Sequence, residues 1–398
     1  MSTARSTAEE APAADVAAAL HEVPFVRVVA SADGDSLAAS GILAAACRSV
    51  RTPFHVRTTA ALAADDGRAA DDGLAVAVGL TGGDVALAGA SRPASVTAFE
   101  VARELGVEPD PILGLAGVVA AESTVGADGS GTMLDAAERR GTVERRPGLA
   151  VPTADVSDGI AHSTLVHTPS SGEVERVRAM LAEMDLPAEL GEEAHRRLAS
   201  VVAIDATTAD EATARAAEAV ERALRPYAIP DGTFETVGGY ADVLDAVARE
   251  QPGTGVALAL GHGDVARAAA LDAWRAHAVA AHRLLREATT GRYDGVFVAR
   301  VDADAESATA LPTVARLLRD FRSPEPVALV VTDTASDDAE GRAAAASIED
   351  RDLGTVMTET AASFDGTGRG TDTRGEARFD TETDTTEFIT AVREALTR

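Results

Sequence analysis

Two aspartates one residue apart, Asp33 and Asp35, follow the apolar run Val28 to Ala30 and precede a small-residue stretch from Leu37 to Leu43. That order is a strand running into a helix. It sets both carboxylates at the carboxyl end of a first strand, where open α/β sheets place their ligands. Oxygen donors of this kind suit Mg²⁺ or Mn²⁺. The pair is short of partners, however, because two-metal hydrolysis needs cations about 3.5–4 Å apart, each held by several carboxylate or imidazole ligands. Asp33 and Asp35 alone suffice for one weakly held ion with mostly water around it. Their other reading is local, since an aspartate at a strand-to-helix junction satisfies orphan amides as a turn or N-cap residue.

Other chemistry-bearing residues carry similar alternatives. His162 and His167 lie near Asp155 and Asp158, which invites a zinc site or a triad on Ser163, but a five-residue spacing outside a clear helix is poor ligand geometry. Gly261-His262-Gly263-Asp264 is either a phosphate cradle on helix amides or a turn with Asp264 as cap. Arg369, within the glycine-rich Gly366 to Gly370, is placed to pair with phosphate, or the run is a flexible surface loop. Arg316, Arg319 and Arg322 recur at helical spacing, and Asp320 among them favours a solvated face over a basic one. Arg139-Arg140 and Arg145-Arg146 each follow a Glu, as local ion pairs do. Trp274 and Tyr240 fit helix-core packing better than base stacking.

The elements that must position these residues alternate as in a parallel sheet with crossover helices. Strands are expected at 25–30, 54–59, 74–80 and 84–88, and helices at 37–50, 93–105 and 111–121. A loop-dominated region from 126 to 169 carries one helix near 133–140. Further helices are expected at 174–184, 191–202 and 209–224. After a change of unit near 226–230 the expected order is helix 240–249, strand 256–260, helix 264–288, strand 295–301, helix 313–321 and strand 327–332. A charged, glycine-rich stretch from 334 to 378 and a closing helix at 386–396 complete the chain. No fixed-period repeat is visible. The expected fold is α/β, with residues 1–20 a disordered or weakly helical lead, 21–225 one domain with a helical insertion, and 231–398 a smaller second domain.

Composition describes the surroundings. The 398 residues hold 64 acidic against 36 basic side chains, a formal charge of −28, and every one of the basic side chains is Arg. Such an anionic surface suits a high-salt cytoplasm, where a Debye length of about 3 Å at molar ionic strength screens its self-repulsion. The same balance argues against generic attraction to DNA, because counterion release weakens as salt rises. A nucleic-acid contact would need local Arg, amide or stacking groups. Cys47 is the single cysteine, so there is no disulfide framework, and its small-residue setting makes it a core thiol. No stretch reads as a membrane span, and the first twenty residues lack an apolar signal region.

Over about residue 24 to the end, the chain resembles the DHH phosphoesterase superfamily, and within it the archaeal RecJ-like proteins that include the GINS-associated nuclease. The family's first strand ends in His-x-Asp-x-Asp-Gly. Here Ser31-Ala32-Asp33-Gly34-Asp35-Ser36 keeps the aspartates and lacks the histidine. Asp158 to Thr164 is similar to an Ala-Tyr-Ser-Thr stretch of the archaeal members, and Leu244 to Arg249 with Val256 to Gly261 to their Leu-Asn-Ala-Cys-Gly-Arg segment and the strand after it. Other motifs depart from the pattern. Gly79 stands at the place of the second-motif aspartate, Ala88-Gly89-Ala90 at that of Asp-His-His, and Glu122 matches a fourth acidic position one step displaced. The second domain's Gly-Gly-Gly-His is Gly368-Arg369-Gly370-Thr371.

The resemblance implies a parallel-sheet DHH domain followed by a smaller α/β DHH-associated domain that uses Gly368, Arg369, Gly370 and Thr371 against nucleic acid. With Asp33 and Asp35 a vestigial metal pair and no catalytic residue assigned, it implies a cytoplasmic scaffold subunit in DNA replication or repair. Its partners would be GINS or the replicative helicase, and single-stranded DNA, as for the eukaryotic helicase-associated subunit of RecJ descent. The competing expectation is a Mn²⁺-dependent single-strand exonuclease or oligonucleotide phosphodiesterase. A third is a small-nucleotide sensor using the inter-domain cleft.

Overall fold

Aromatic residues make up 3% of the chain, so the core must close by bringing backbones together around Ala, Gly and Val. The computed structural model describes residues 12–60, 73–89, 92–184, 187, 190–333, 340–380 and 384–397. The first part runs α1 (Ala13–Glu22), β1 (Val26–Ser31), α2 (Gly34–Ser49), β2 (Phe54–Thr59), β3 (Leu74–Val78), β4 (Val85–Leu87), α3 (Ala94–Glu104) and α4 (Pro111–Ala120). Its strands form a parallel sheet in the order β2-β1-β3-β4, with Val26 opposite both Phe54 and Leu74. All five residues of β3 are buried, as a central parallel strand covered on both faces requires. On α4, a Cβ at Gly117 would lie 2.6 Å from the Ser95 Cβ and 2.8 Å from the Ala38 Cβ. Only glycine lets these helices pack so closely.

A helical region follows: α5 (Gly131–Arg139), β5 (Glu144–Arg145), α6 (Val156–His162), α7 (Val174–Glu183), α8 (Glu192–Thr208), α9 (Arg215–Ala223) and β6 (Tyr227–Ala228), with β5 and β6 paired antiparallel. Then come α10 (Val237–Glu250), α11 (Pro252–Ala259) and α12 (Gly263–Glu287). The remainder is β7 (Thr289–Tyr293), β8 (Val296–Val301), a 3₁₀ turn (Ser307–Ala310), α13 (Leu311–Leu317) with a π-type turn (Leu318–Arg322), β9 (Val327–Thr332), β10 (Gly341–Ser347), α14 (Leu353–Ala362), β11 (Thr367–Gly370), β12 (Arg374–Phe379) and α15 (Thr385–Leu396). Its six strands form a mixed sheet in the order β11-β12-β10-β9-β8-β7. One face packs on α14 and α15, where Phe379 and Phe388 stack at 4.1 Å; the other meets α12 and α13. The architecture is thus an α/β parallel-sheet domain and a separate mixed-sheet domain.

Several expected elements change. The cores do not divide near 226–230, because Phe234, α10, α11 and the first half of α12 pack in one cluster with β1 and α2. The second sheet begins only after α12. The 256–260 strand lies in helix α11 instead; a short apolar run cannot distinguish the two states, and Pro252 at the first helical position favours the helix. The expected 209–224 helix begins only at Arg215, after the Thr213 amide bonds to the Phe321 carbonyl. The described part of 334–378 holds three strands and a helix. Of the lead, residues 1–11 lie outside the described residues, but 13–22 form α1, which packs on α3 and buries Val16, Ala17 and Leu20. Charged residues around that narrow stripe hide it in the composition.

Replacing Leu20, which is fully buried, by Ala should cost about 2–5 kcal/mol, seen as a lower denaturation midpoint in molar KCl. An unchanged midpoint would return this segment to a disordered lead.

Candidate functional site

The turn between β1 and α2 uses both aspartates as helix caps. Asp33 is the N-cap of α2, accepting from the Ser36 amide at 2.8 Å and the Ser36 hydroxyl at 3.0 Å. Asp35, in the first turn of that helix, reaches across to α3 and accepts from the Ala94 amide at 2.6 Å and the Ser95 amide at 3.0 Å. The N-cap position of α3 is Pro93, whose side chain accepts nothing, so Asp35 supplies the missing acceptor from another helix. Asp35 is 5% exposed. Burial, with the Asp33 charge beside it, pushes its carboxyl up to about 6 against the lowering effect of these hydrogen bonds.

The neighbouring strand ends decide what else fits there. Gly79 closes β3 at φ +65°, and a Cβ built on it would overlap the Ser36 hydroxyl oxygen and lie 3.0 Å from the Ser31 Cβ. The space of a second-motif side chain is therefore occupied by the serine that Asp33 holds. Gly89, at φ +68°, differs: its Cβ would lie 3.8 Å from Asp35 Oδ2 in ordinary contact. Ala90, the last residue of the expected third motif, lies outside the described residues.

Ion pairs fill the space between the domains. The Gly34 amide donates to Asp245 at 3.1 Å, and Arg249 binds Asp245 at 3.3–3.4 Å and Glu376 of β12 at 3.4 Å. Burial raises the Asp245 carboxyl, but the charges of Arg249 and His277 and the hydrogen bonds from Gly34 and Arg249 together bring the group down to about 2. Glu122, in the left-handed region at φ +66°, faces Arg319 at 2.7 Å and Arg374 at 3.9 Å. Burial again opposes, and these arginines hold it at about 2. Arg319 also bonds Asp320, which Arg222 meets at 2.6 Å.

The glycine-rich segment is an edge strand, not a loop. A Cβ at Gly368 would lie 2.5 Å from the Met357 carbonyl oxygen, so β11 needs glycine to lie on the backbone of α14. Arg369 pairs with Glu376 at 3.3 Å. Thr371 faces a cleft of about 380 Å³ together with Gly89, Arg92, Glu122, Arg319 and Arg374. The structure thus brings Thr371 and Gly89 to one cleft and places Arg369 at another, beside Ala32. Neither cleft is lined by Asp33 or Asp35.

The remaining candidates are structural. His162 Nδ1 is 3.0 Å from both the carbonyl and the carboxylate of Asp158, which Arg275 grips with two bonds of 2.8–2.9 Å. The Ser163 carbonyl accepts from His282 Nε2 at 3.1 Å, which leaves His282 Nδ1 to accept from His167 Nδ1 at 3.0 Å and His167 Nε2 to accept from Arg322 at 3.5 Å. Both imidazoles of this relay are neutral. Burial lowers both, His282 to about 3, and the guanidiniums of Arg286, Arg316 and Arg322 act in the same direction. The expected solvated arginine face is not found: Arg319 is buried, Arg316 donates to Thr164 at 2.9 Å and Arg322 binds the Leu285 carbonyl and Glu211. Asp264 caps nothing; α12 starts after His262 with no side-chain cap. Arg145 stacks on Tyr227 and Arg146 meets Glu235, so neither relies on the glutamate before it. Trp274 is buried, donating to Asp242 at 2.9 Å, and Tyr240 packs on Phe234. Glu376 carried no sequence signal of its own and Arg319 showed only as one of three arginines at helical spacing, while Asp245 and Arg249 stood at a helical ion-pair spacing.

Comparison with solved structures shows the fold. CDC45 from Entamoeba histolytica superposes with a TM-score of 0.58 at 9% identity, over 97% of this chain and 99% of that one. RecJ from Thermus thermophilus in complex with Mg²⁺ gives 0.52 at 14% identity, over 97% of this chain and 52% of RecJ, so the chain spans about half of RecJ's length. The fold is the one shared with these CDC45 and RecJ structures. Residues 288–394 match the family described as the C-terminal domain of the uncharacterized protein rrnAC1427. That protein, from Haloarcula marismortui, is 49% identical over 386 residues, 96% of each chain. The chain belongs to the rrnAC1427 family.

Such a fold raises the question of a divalent metal. Among the described residues no group of three or more His, Cys, Asp or Glu is arranged to hold one, and the two first-strand carboxylates are engaged as helix caps. This donor set does not fit a binuclear centre.

Asp35→Ala removes the acceptor of two α3 amides and should cost about 1–2 kcal/mol. The folded carboxyl titrates near 6 and the unfolded one near about 4, so Asp35 contributes fully below about pH 4 and less as pH rises to about 6. The stability gap between wild type and Asp35→Ala should shrink across that window; a constant gap contradicts the assignment. The histidine relay has the opposite sign: it is fully stabilising above about 6.5, the unfolded value, and weakens as pH falls toward about 3. Changing both His167 and His282 to Gln should flatten that acid limb. Gly79→Asp should restore no site and cost roughly 2–5 kcal/mol through overlap and backbone strain.

Proposed function

We propose that this chain is a catalytically degenerate RecJ-like protein that serves as a nucleic-acid-associated scaffold subunit in DNA replication or repair, in the cytoplasm. The observation that carries this reading is the use of Asp33 and Asp35 as caps of α2 and α3, with the Ser36 hydroxyl in the space a side chain at position 79 would enter. These carboxylates already accept backbone amides at 2.6–3.0 Å, which leaves each fewer lone pairs for a cation. The cleft that would hold a scissile strand is crossed instead by the Glu122–Arg319 and Arg249–Glu376 pairs. These fix one domain against the other, which suits a rigid platform.

The partners consistent with this reading are GINS or the replicative helicase, and single-stranded DNA, with Gly368, Arg369, Gly370 and Thr371 as the nucleic-acid contact in the second domain. The likeness in fold to CDC45 supports a replication context. In high salt, nucleic-acid contact must come from local guanidiniums and not from net charge, and both inter-domain clefts offer them.

The test is association and hydrolysis measured together in molar KCl. Purified protein should co-elute with GINS, the helicase or labelled single-stranded DNA. With Mn²⁺ or Mg²⁺ it should release no more labelled nucleotide than Asp33→Ala does. Turnover in wild type that Asp33→Ala abolishes would replace this reading by the exonuclease or oligonucleotide phosphodiesterase, and absence of every association would remove the scaffold.

A further inference from the structure

A cavity of about 470 Å³ opens in the helical region and shares no residue with the two inter-domain clefts. It lies between the segment that follows β5, helix α6 and helix α8. Its floor is apolar, because Leu149, Val151, Val156, Ile160 and Leu198 line it and all belong to one hydrophobic cluster or pack against it. Arg146, His195 and Glu235 line it as well. An apolar body with a few placed polar groups is the form of a small-molecule site, and the volume falls in the usual range of about 300–1,000 Å³.

These polar groups have hydrogen-bonding capacity to spare. Among the described residues the Arg146 guanidinium has one partner, Glu235 at 3.5 Å, with side chains 37% and 39% exposed. So long and exposed a pair holds its arginine weakly. The His195 imidazole makes no hydrogen bond among the described residues. Its ring lies against Gly148, where a Cβ would come within 3.2 Å of Nδ1. Burial, with the Arg146 charge beside it, lowers its proton affinity, so near neutral pH the ring carries one N–H to donate. The head group that uses both residues has two acceptor oxygens, because a guanidinium presents paired N–H groups that match a carboxylate.

We infer that this cavity binds a small monocarboxylate with an apolar body, its carboxylate accepting from Arg146 and His195 and its chain lying on Leu149, Ile160 and Leu198. Glu235, exposed at the rim, gives up its contact with Arg146 to water.

The full chain in molar KCl near neutral pH is titrated with octanoate by calorimetry, with 1-octanol and octylammonium as the neutral and cationic counterparts. Saturable octanoate binding is expected, with octanol about tenfold weaker or more. Shortening the chain to hexanoate should weaken binding roughly fourfold per methylene removed. Arg146→Gln should weaken octanoate about tenfold or more, and His195→Phe, which keeps a ring and loses its N–H, should weaken it in the same direction. Glu235→Gln, which frees Arg146, should tighten it. The melting midpoint of each free variant, unchanged from wild type, shows that the fold is intact. No saturable octanoate binding, equal affinity for octanol, or equal octanoate affinity in Arg146→Gln overturns the inference. Tighter binding of octylammonium, weakened by Glu235→Gln, overturns it in favour of a cationic ligand.

Discussion

The amides of Ala94 and Ser95 begin a helix preceded by a proline, and the carboxylate that satisfies them comes from Asp35 on a different helix. Removing it would leave two buried donors without an acceptor in the middle of the first core, the costliest way to lose a hydrogen bond. This contact joins the β1–α2 turn to α3 and so sets the spacing of the strand ends where β1, β3 and β4 open toward the second domain. The same turn carries the Ser36 hydroxyl that faces Gly79 and the Gly34 amide that reaches Asp245.

Between the domains the structure relies on charge where a less acidic protein would have apolar surface to use. Arg319 and Glu122 meet at 2.7 Å with side chains 7% and 23% exposed. At molar salt, surface charges farther apart than about 3 Å scarcely interact, so the acidic excess outside costs little, while buried pairs are screened much less. The two populations of carboxylate therefore do different work. Exposed ones keep the surface hydrated, and Glu122, Asp245 and Glu376 hold arginines in place. Buried pairs add little net stability compared with apolar packing, but deleting one partner strands the other charge at a cost of about 3–5 kcal/mol. Such a junction favours one relative orientation of the domains over all others.

Much of the first domain was legible because its signals are local. β1, β3, α2 and α4 announce themselves through apolar strands, Asp caps and Pro111 at a helix start, and the alternative reading of Asp33 as an N-cap is the one found. The second domain was harder. β10 is Gly-Arg followed by four alanines and a serine, with none of the branched or aromatic residues that mark a strand, and it is a strand because β9 and β12 flank it. The glycines of β11 resembled a loop because their cause, the backbone of α14, lies outside the strand's own sequence. For the site, the Asp245–Arg249 spacing was visible along one helix, whereas the partners of Arg319, Glu376 and Asp35 are set by tertiary distance, which no local pattern encodes.

The structure also explains why these departures from an active-site pattern occur together. Ser36 Oγ occupies the volume into which a side chain at position 79 would project, and that hydroxyl is held there by Asp33. A side chain at position 79 and the Ser36 hydroxyl compete for this volume: an aspartate there would displace the hydroxyl and remove one of the two bonds Asp33 accepts, leaving the one from the Ser36 amide. Asp35 is tied in the same way to α3, whose Pro93 cannot supply a substitute acceptor. Helix capping therefore gives aspartate at positions 33 and 35 a role in fold stability.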